Sequence, residues 1–270
     1  MDGDNKESNI YSAAKITLPE ILEFHKEKII SRRTISMDEK SGKISVLQET
    51  ALGELVLNSK EIQDAVTFEL LQDHWINFIR KNGLSVLPWT EEVEQFRRRS
   101  ELLRLLGEKL PSVEDEYLIE NLEKWLLPYL DNIRRISDFK KIDLTSIIKS
   151  SYSYEQIQLL EREAPERWEV PSGSKIKLDY KKDEILLSVK IQELFGLMET
   201  PKIARGKVTL TLQLLSPSQR PIQITKDLVG FWDRTYIEVK KELAGRYPRH
   251  PWPDNPRLAV ATKYTKKKVY

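Results

Sequence analysis

The sequence contains no cysteine and only three histidines, at positions 25, 74 and 250. Without cysteine the chain can form no disulfide framework, no thiolate nucleophile and no zinc site with Cys ligands. The H-E-x-x-H spacing of a zinc hydrolase is absent as well. We therefore expect no metal site, and a protein of a reducing compartment such as the cytoplasm.

Long apolar runs and nucleotide-binding loops are also missing. No apolar run approaches the roughly 18 residues of a membrane span, and the first residues, MDGDNKES, are acidic and polar where a signal peptide would be basic and then apolar. Neither G-x-x-x-x-G-K-[ST], nor G-x-G-x-x-G, nor a nucleophile elbow occurs. These absences predict a soluble chain with no membrane partner, no cofactor of its own and no catalysis by itself.

What the sequence does contain is an uneven distribution of charge. The net charge of the chain is +2, but residues 201–270 carry fifteen Lys and Arg against five Asp and Glu, a net charge of +10. Residues 1–200 carry twenty-nine basic and thirty-seven acidic groups, a net charge of −8. This asymmetry predicts contact with a polyanion, most often a nucleic acid, at the C-terminal end. The alternative is a basic surface that only keeps the protein soluble.

The periodicity of apolar residues predicts an α+β fold. Residues 1–17 are expected to be disordered or flexible, and residues 18–61 to form a helix from Leu18 and then three short antiparallel strands that complete a sheet with other elements. Residues 62–164 are predicted to be helical, with helices over 65–81, 90–106 and 112–129. Within them His74 is interpreted as a satisfied structural or surface group, and the run Arg97, Arg98 and Arg99 as a solvated helix face rather than a phosphate contact.

Residues 165–270 change to a period of two. Strands near 176–180, 185–191, 208–214 and 222–224 predict a compact antiparallel sheet or partial barrel. One amphipathic helix follows over 227–244 and should end at Gly245. Its predicted inward residues are Leu228, Phe231, Trp232, Tyr236, Val239 and Leu243.

The run GRYPRHPWPDNP, residues 245–256, contains four prolines that make the backbone stiff and extended. Its aromatic residues can stack on bases or pin the segment to the sheet, while its basic residues offer donors to phosphate. We interpret it as a preorganised edge for single-stranded nucleic acid; the alternative is a protein-interaction module that docks a partner through the acidic helices and this edge. The predicted nucleic-acid contacts are Arg205, Lys207, Lys240, Lys241, Arg246, Tyr247, Arg249, His250, Trp252, Lys263, Lys266, Lys267 and Lys268.

Several long runs resemble the C-terminal region of the bacterial HrpB-type ATP-dependent RNA helicases of the DExH-box class. They are VPSGSKIKLDY, VKIQELFG, TPKIARGKVTLTLQLLSPSQRPIQITKDLVGFW and KKELAGRYPRHPWPDNP, with GELVL, GLSVLPW and EKWLLPYL upstream. The resemblance extends from about Leu18 to Lys268. It implies an OB-like segment at 18–61, and at 165–270 an HrpB-specific basic β/α domain with an extended Pro-rich tail.

The resemblance also implies a role. In that family the motor domains carry the P-loop, the DExH box and the arginine finger, and they bind ATP and Mg; this sequence contains none of those motifs. The chain would therefore be an excised fragment or a separately encoded tail. Its expected function is to guide RNA relative to helicase motor domains held in cis.

Overall fold

A computed structural model describes residues 13–38, 44–62 and 67–265. The chain divides into two compact units. The first contains the described residues up to Leu87 together with Leu122–Ile142, and the second contains Pro88–Asn121 together with the described residues from Asp143 onward. The predicted helical stretch 62–164 thus contributes to both units. Among the described residues, no helix has the length and apolarity needed to cross a membrane.

In the described chain one helix, three strands, six helices, seven strands and two helices follow one another. In chain order its helices are α1 (Leu18–Phe24), α2 (Phe68–Asn82), α3 (Glu91–Leu105), α4 (Asp115–Glu120), α5 (Leu122–Trp125), α6 (Leu144–Lys149), α7 (Tyr154–Glu163), α8 (Leu228–Gly230) and α9 (Tyr236–Arg246). Its strands are β1 (Ile29–Met37), β2 (Ile44–Leu52), β3 (Leu55–Ile62), β4 (Arg167–Glu169), β5 (Lys175–Tyr180), β6 (Ile185–Lys190), β7 (Lys202–Ile203), β8 (Val208–Thr209), β9 (Thr211–Leu215) and β10 (Pro221–Thr225).

The first unit is built on the antiparallel sheet β1-β2-β3. Gly53, with φ +58°, makes the turn between β2 and β3, a conformation that glycine adopts without steric cost. The predicted strands are confirmed, but the expectation that they complete a larger sheet is wrong within the described residues. The helix α2 lies against β1 instead. Its fully buried Trp75 donates from Nε1 to the carbonyl of Ile133 at 2.9 Å, which ties α2 to the 122–142 segment.

The helix predicted over 112–129 is interrupted, so that prediction is wrong in length. The helix α4 ends at Glu120, and the Nδ2 atom of Asn121 donates to the carbonyl of Tyr117 at 2.9 Å. Asparagine side chains compete in this way for helix carbonyls. The predicted start near Ser112 is also displaced, because Glu114 occupies the N-cap position of α4.

The second unit contains a five-stranded sheet in the order β10-β9-β6-β5-β4. Three of its four strand pairs are antiparallel as predicted, but β6 and β9 run parallel, so the sheet is mixed. Parallel neighbours require a crossover of a dozen or more residues, and residues 191–210 supply it. Within that crossover β7 and β8 form a separate two-stranded hairpin, which divides the strand predicted over 208–214.

The predicted amphipathic helix is confirmed, with a π-helical segment at Phe231–Thr235 between α8 and α9. The six predicted inward side chains are all buried. Trp232, inside the π segment, and Tyr236, directly after it, lie on the same side with their ring centroids 5.5 Å apart. The helix continues through Gly245 to Arg246 and is capped by Tyr247, so the predicted end at Gly245 is two residues early.

The three consecutive arginines of α3 do not share one solvated face. Arg98 is exposed, but Arg97 is half-buried and Arg99 is buried, so that interpretation is wrong for two of the three. Arg99 is 1% exposed and donates to the carbonyl of Ala164 at 2.5 Å. Arg98 donates to the carbonyl of Tyr180 at 2.9 Å, and Arg97 to that of Val113 at 2.8 Å. Each guanidinium therefore joins α3 to another segment of the second unit.

Candidate functional site

The Pro-rich segment 245–256 lies at the end of the five-stranded sheet where β6 and β9 terminate. Lys190 and Leu215, the last residues of these strands, are register partners. Together with Pro251 and Trp252 they line one small cavity. Further along the segment, Tyr236 of α9 donates from its hydroxyl to the carbonyl of Pro253 at 3.0 Å. The stiff segment is therefore fastened to the domain rather than projecting from it.

The two aromatic residues of the segment are half-buried. Trp252 donates from Nε1 to the carbonyl of Tyr247 at 3.0 Å, which closes the segment on itself. The Tyr247 hydroxyl lies 2.6 Å from the hydroxyl of Ser218, in the turn between β9 and β10. Buried Tyr and Trp side chains commonly satisfy their polar atoms in this way. These contacts favour the anchoring interpretation of both residues over free stacking on bases.

His250 connects the segment to the residues that follow it. Its Nδ1 atom lies 2.6 Å from Oε1 of Gln192, while Nε2 of the same amide donates to the carbonyls of Thr262 at 2.9 Å and Tyr264 at 3.2 Å. Because the amide nitrogen is committed to the tail, its oxygen faces the imidazole, and His250 donates from Nδ1. Burial, and secondarily the charge of Lys190, lowers the pKa of His250. The ring is therefore neutral at pH 7 and contributes position, not charge.

Three basic residues come from elements that end near these residues: Lys190 ends β6, Arg220 donates its backbone N–H to Ser216 Oγ at 3.0 Å in the turn between β9 and β10, and Arg246 ends α9. The pKa of the Tyr247 hydroxyl is lowered, mainly by its hydrogen bond with Ser218 and further by the charges of Arg220 and Arg246. Lys190 acts on His250 in the same way, and the rings of His250 and Tyr247 are 6.1 Å apart, edge to face. We call the following set the Tyr247 cluster: Lys190, Arg220, Arg246, Tyr247 and His250.

The cations of the Tyr247 cluster are not neutralised by protein carboxylates. Within the described chain, none of Lys190, Arg220 and Arg246 forms an ion pair, and both arginines are exposed. Lys190 and Arg220 were absent from the sequence prediction. The signal for Arg220 was its place in SPSQRP, a turn between two predicted strands, where an exposed side chain is expected. Lys190 carried no comparable signal, since it is the last residue of a buried strand.

Two predicted contacts lie elsewhere. Arg205 pairs with Glu108 at 3.0 Å and with Glu163 at 3.4 Å, so its charge is already neutralised. Lys207 is exposed and lines the same small cavity as Arg205. Both precede Thr211, which opens β9 opposite Leu186, at the end of the β6-β9 pair away from Lys190. Strands rise about 3.3 Å per residue, so the two ends of this pair are about 13 Å apart. The structure does not bring Arg205 and Lys207 to the Tyr247 cluster.

The other predicted contacts divide into three kinds. Lys240 pairs with Asp254 at 2.5 Å and is therefore neutralised. Exposed positions without an ion pair to a described residue are Lys241, Arg249 and Lys263, the last with its Nζ 5.5 Å from the ring centroid of Tyr264. Lys266, Lys267 and Lys268 lie outside the described residues.

Comparison with known proteins gives a consistent result. The ATP-dependent helicase C-terminal family (HrpB_C) matches residues 125–256. The chain is 36% identical over 269 residues to the ATP-dependent RNA helicase HrpB of Escherichia coli K12, which covers 97% of this chain and 32% of that protein. The chain thus spans about a third of the length of that relative.

Two solved structures are also similar. A crystal structure of the E. coli DExH-box NTPase HrpB matches with a TM-score of 0.78 and 35% identity, over 93% of this chain and 31% of that one. A crystal structure of the E. coli DEAH/RHA helicase HrpB matches with a TM-score of 0.67 and 36% identity, over 83% of this chain and 29% of that one.

Proposed function

We infer that this chain, which carries the C-terminal region of the HrpB-type ATP-dependent helicases, is an accessory helicase region that binds single-stranded RNA through the Tyr247 cluster and neighbouring exposed cations. In this proposal ATP and Mg bind to motor domains held in cis, and the chain itself catalyses no reaction. The sheet β1-β2-β3 would correspond to the OB-like segment of such a helicase.

The observation that supports RNA binding is the convergence of unpaired cations at one end of the five-stranded sheet. Lys190, Arg220 and Arg246 come from a strand, a turn and a helix end, and carboxylates neutralise none of them within the described chain. A phosphate backbone gains from such cations because its condensed counterions are released when they bind. Exposed Arg249 and Lys241, in the same C-terminal segment, extend the supply of positive charge.

The experiment measures binding of the full chain to a fluorescently labelled single-stranded RNA by anisotropy at several salt concentrations. We expect weak binding that falls as salt rises. Removing one phosphate contact lowers the slope of log K against log salt by about 0.7 for a single strand. The variants Arg220→Gln and Arg246→Gln should each show a reduction of that size.

The matched control is Lys182→Gln. Lys182 is an exposed cation in the turn between β5 and β6, at the opposite end of the same sheet, and it forms no ion pair with a described residue. The substitution removes the same charge and should leave the salt slope unchanged. An absence of binding at low salt, or a salt slope that Lys182→Gln lowers as much as Arg220→Gln does, contradicts the proposed RNA surface.

A second candidate function is docking of the helicase motor domains. Its support is that Leu258 and Val260, in the segment after the Pro-rich run, expose 82% and 88% of their surface to solvent. Apolar side chains this exposed gain free energy when a partner surface buries them. Pull-down of separately expressed motor domains, with and without the double substitution Leu258→Ser and Val260→Ser, tests it. Capture that the double substitution leaves intact would contradict docking at this point.

A further inference from the structure

The ring of Tyr264 is held at the surface without packing into the domain. Tyr264 is 68% exposed and lies in the segment that follows the Pro-rich run. Its backbone is nevertheless fixed on both sides, because its N–H donates to Oγ1 of Thr262 at 3.0 Å and its carbonyl accepts from Nε2 of Gln192 at 3.2 Å. Burial contributes little to holding a residue this exposed. The hydrogen bonds therefore present the ring to solvent.

The side chain that fixes Tyr264 is buried. Gln192 is 4% exposed and lies in the crossover after β6. Its Nε2 atom also donates to the carbonyl of Thr262 at 2.9 Å, and its backbone carbonyl accepts the N–H of Thr262 at 3.1 Å. Conformational freedom that is lost on binding weakens a complex. The fold has already removed that freedom from the backbone of Tyr264, so a ligand that stacks on the ring loses less entropy.

Positive charge adjoins the ring. The Nζ atom of Lys263 lies 5.5 Å from the centroid of the Tyr264 ring, within the range of a cation–π contact. On the other side of the Gln192 amide, Oε1 lies 2.6 Å from Nδ1 of His250, and the exposed Arg249 directly precedes His250 in the chain. Proteins that bind single-stranded nucleic acid combine these two features, because bases stack on the aromatic ring and cations meet the phosphates.

We propose that Tyr264 is a stacking platform for an unpaired base of the RNA and that Gln192 positions it. This inference rests on the proposed RNA-binding function and adds a base contact to its phosphate contacts. Every base has a π-face, so the contact is independent of sequence. Loss of the ring removes no charge and should weaken binding without changing its salt dependence.

The test compares two labelled strands of equal length and charge by fluorescence anisotropy. One is a short oligouridine, and the other has the same sugars and phosphates but no bases. The full chain is used at low salt. We expect it to bind the oligouridine about tenfold more tightly, which corresponds to about 1.4 kcal/mol and agrees with the contribution of one stacked base.

The variants separate the ring from its surroundings. Tyr264→Leu keeps an apolar side chain and should reduce the advantage of the oligouridine to about twofold or less, with the salt slope unchanged, whereas Tyr264→Trp should retain the advantage. The matched control is Tyr154→Leu, which should also retain it. Tyr154 begins α7 and is 74% exposed, but no cation among the described residues lies over its ring.

A further variant tests the positioning residue. Gln192→Met leaves the ring of Tyr264 in place and frees its backbone, so the advantage of the oligouridine should fall to about threefold. A general loss of folding would weaken binding of both strands alike, so the ratio of the two affinities reports the positioning of the ring. An unchanged ratio in Gln192→Met overturns this role of the amide.

Equal affinity of the unaltered chain for the two strands overturns the proposal, and that comparison needs no variant to fold. An advantage that survives Tyr264→Leu, or that Tyr154→Leu reduces as much, also overturns it. Failure of the proposed RNA-binding function gives a different result, since the strand without bases would then not bind at low salt. Salt-sensitive binding of that strand, with no preference for bases, leaves that function intact and contradicts only this inference.

Discussion

The buried arginine of α3 provides the sharpest test of how the second unit is held together. Arg99 donates to the carbonyls of Ala164 at 2.5 Å and Leu160 at 3.4 Å, and it pairs with Glu161 at 2.8 Å and Glu166 at 2.9 Å. Replacing it with methionine keeps most of the side-chain volume and removes every donor. The perturbation therefore isolates hydrogen bonding and charge from packing.

The two kinds of partner respond differently to this change. Glu161 and Glu166 expose 51% and 53% of their side chains, so water can replace the guanidinium there at small cost. The carbonyls of Leu160 and Ala164 both belong to fully buried residues. That of Leu160 keeps the backbone N–H of Ala164 at 2.9 Å, whereas that of Ala164 loses the Arg99 donor at 2.5 Å. An unsatisfied buried acceptor costs about 1–3 kcal/mol, so we expect Arg99→Met to lower the free energy of unfolding by roughly 1–3 kcal/mol.

Urea unfolding followed by far-UV circular dichroism measures this change, and hydrogen exchange shows whether the loss of protection is centred on the end of α7. The matched control is Arg104→Met on the same helix. Arg104 is 31% exposed and pairs only with Glu101 and Glu114 among described residues, which should cost at most about 1 kcal/mol. If Arg99→Met unfolds within about 0.5 kcal/mol of the unaltered chain, the guanidinium is not a structural link and our reasoning is refuted.

Two further outcomes follow from buried polar groups. Burial lowers the pKa of His74, whose Nε2 atom has no hydrogen-bond partner among described residues. Below about pH 6.5 the unfolded chain therefore binds more protons than the folded chain, and the free energy of unfolding falls as pH falls. We expect His74→Leu to raise the melting temperature more at pH 5.5 than at pH 7.5. An equal effect at both pH values would contradict this explanation. Gln192→Met removes the amide that is hydrogen-bonded to His250 and to the carbonyls of Thr262 and Tyr264. We therefore expect trypsin to cleave after Lys263 faster than in the unaltered chain. Unchanged cleavage would show that the amide does not hold residues 262–264 in place.

His74 also shows that the sequence does not predict the hydrogen bonding of a side chain. The sequence predicted a satisfied structural or surface histidine. The ring is half-buried with its centroid 4.9 Å from that of Trp75, but its Nε2 atom has no hydrogen-bond partner among the described residues. The structural position was therefore predicted correctly, and the prediction that its polar atoms are satisfied was wrong. Position in a helix can be inferred from local spacing, whereas hydrogen bonding depends on whatever the fold places beside the ring.

The sequence by itself determined features that depend on neighbouring residues. The period of 3.6 identified the inward face of the 228–246 helix, because side chains three and four positions apart must share a side. The period of two identified β5, β6 and β10, and charge counting identified the basic C-terminal segment. The similarity to HrpB-type helicases was also visible in the sequence, through several long runs in a fixed order.

Only the tertiary structure decided which charges remain available. Arg205 and Arg246 are equally basic in sequence, yet Arg205 pairs with Glu108 and Glu163 while Arg246 is exposed and forms no ion pair with a described residue. The tertiary structure likewise decided the parallel pairing of β6 with β9 and the burial of Arg99. The physical reason is that an ion pair or a strand pair is a contact between positions far apart in the chain, and local periodicity carries no information about the distance between them.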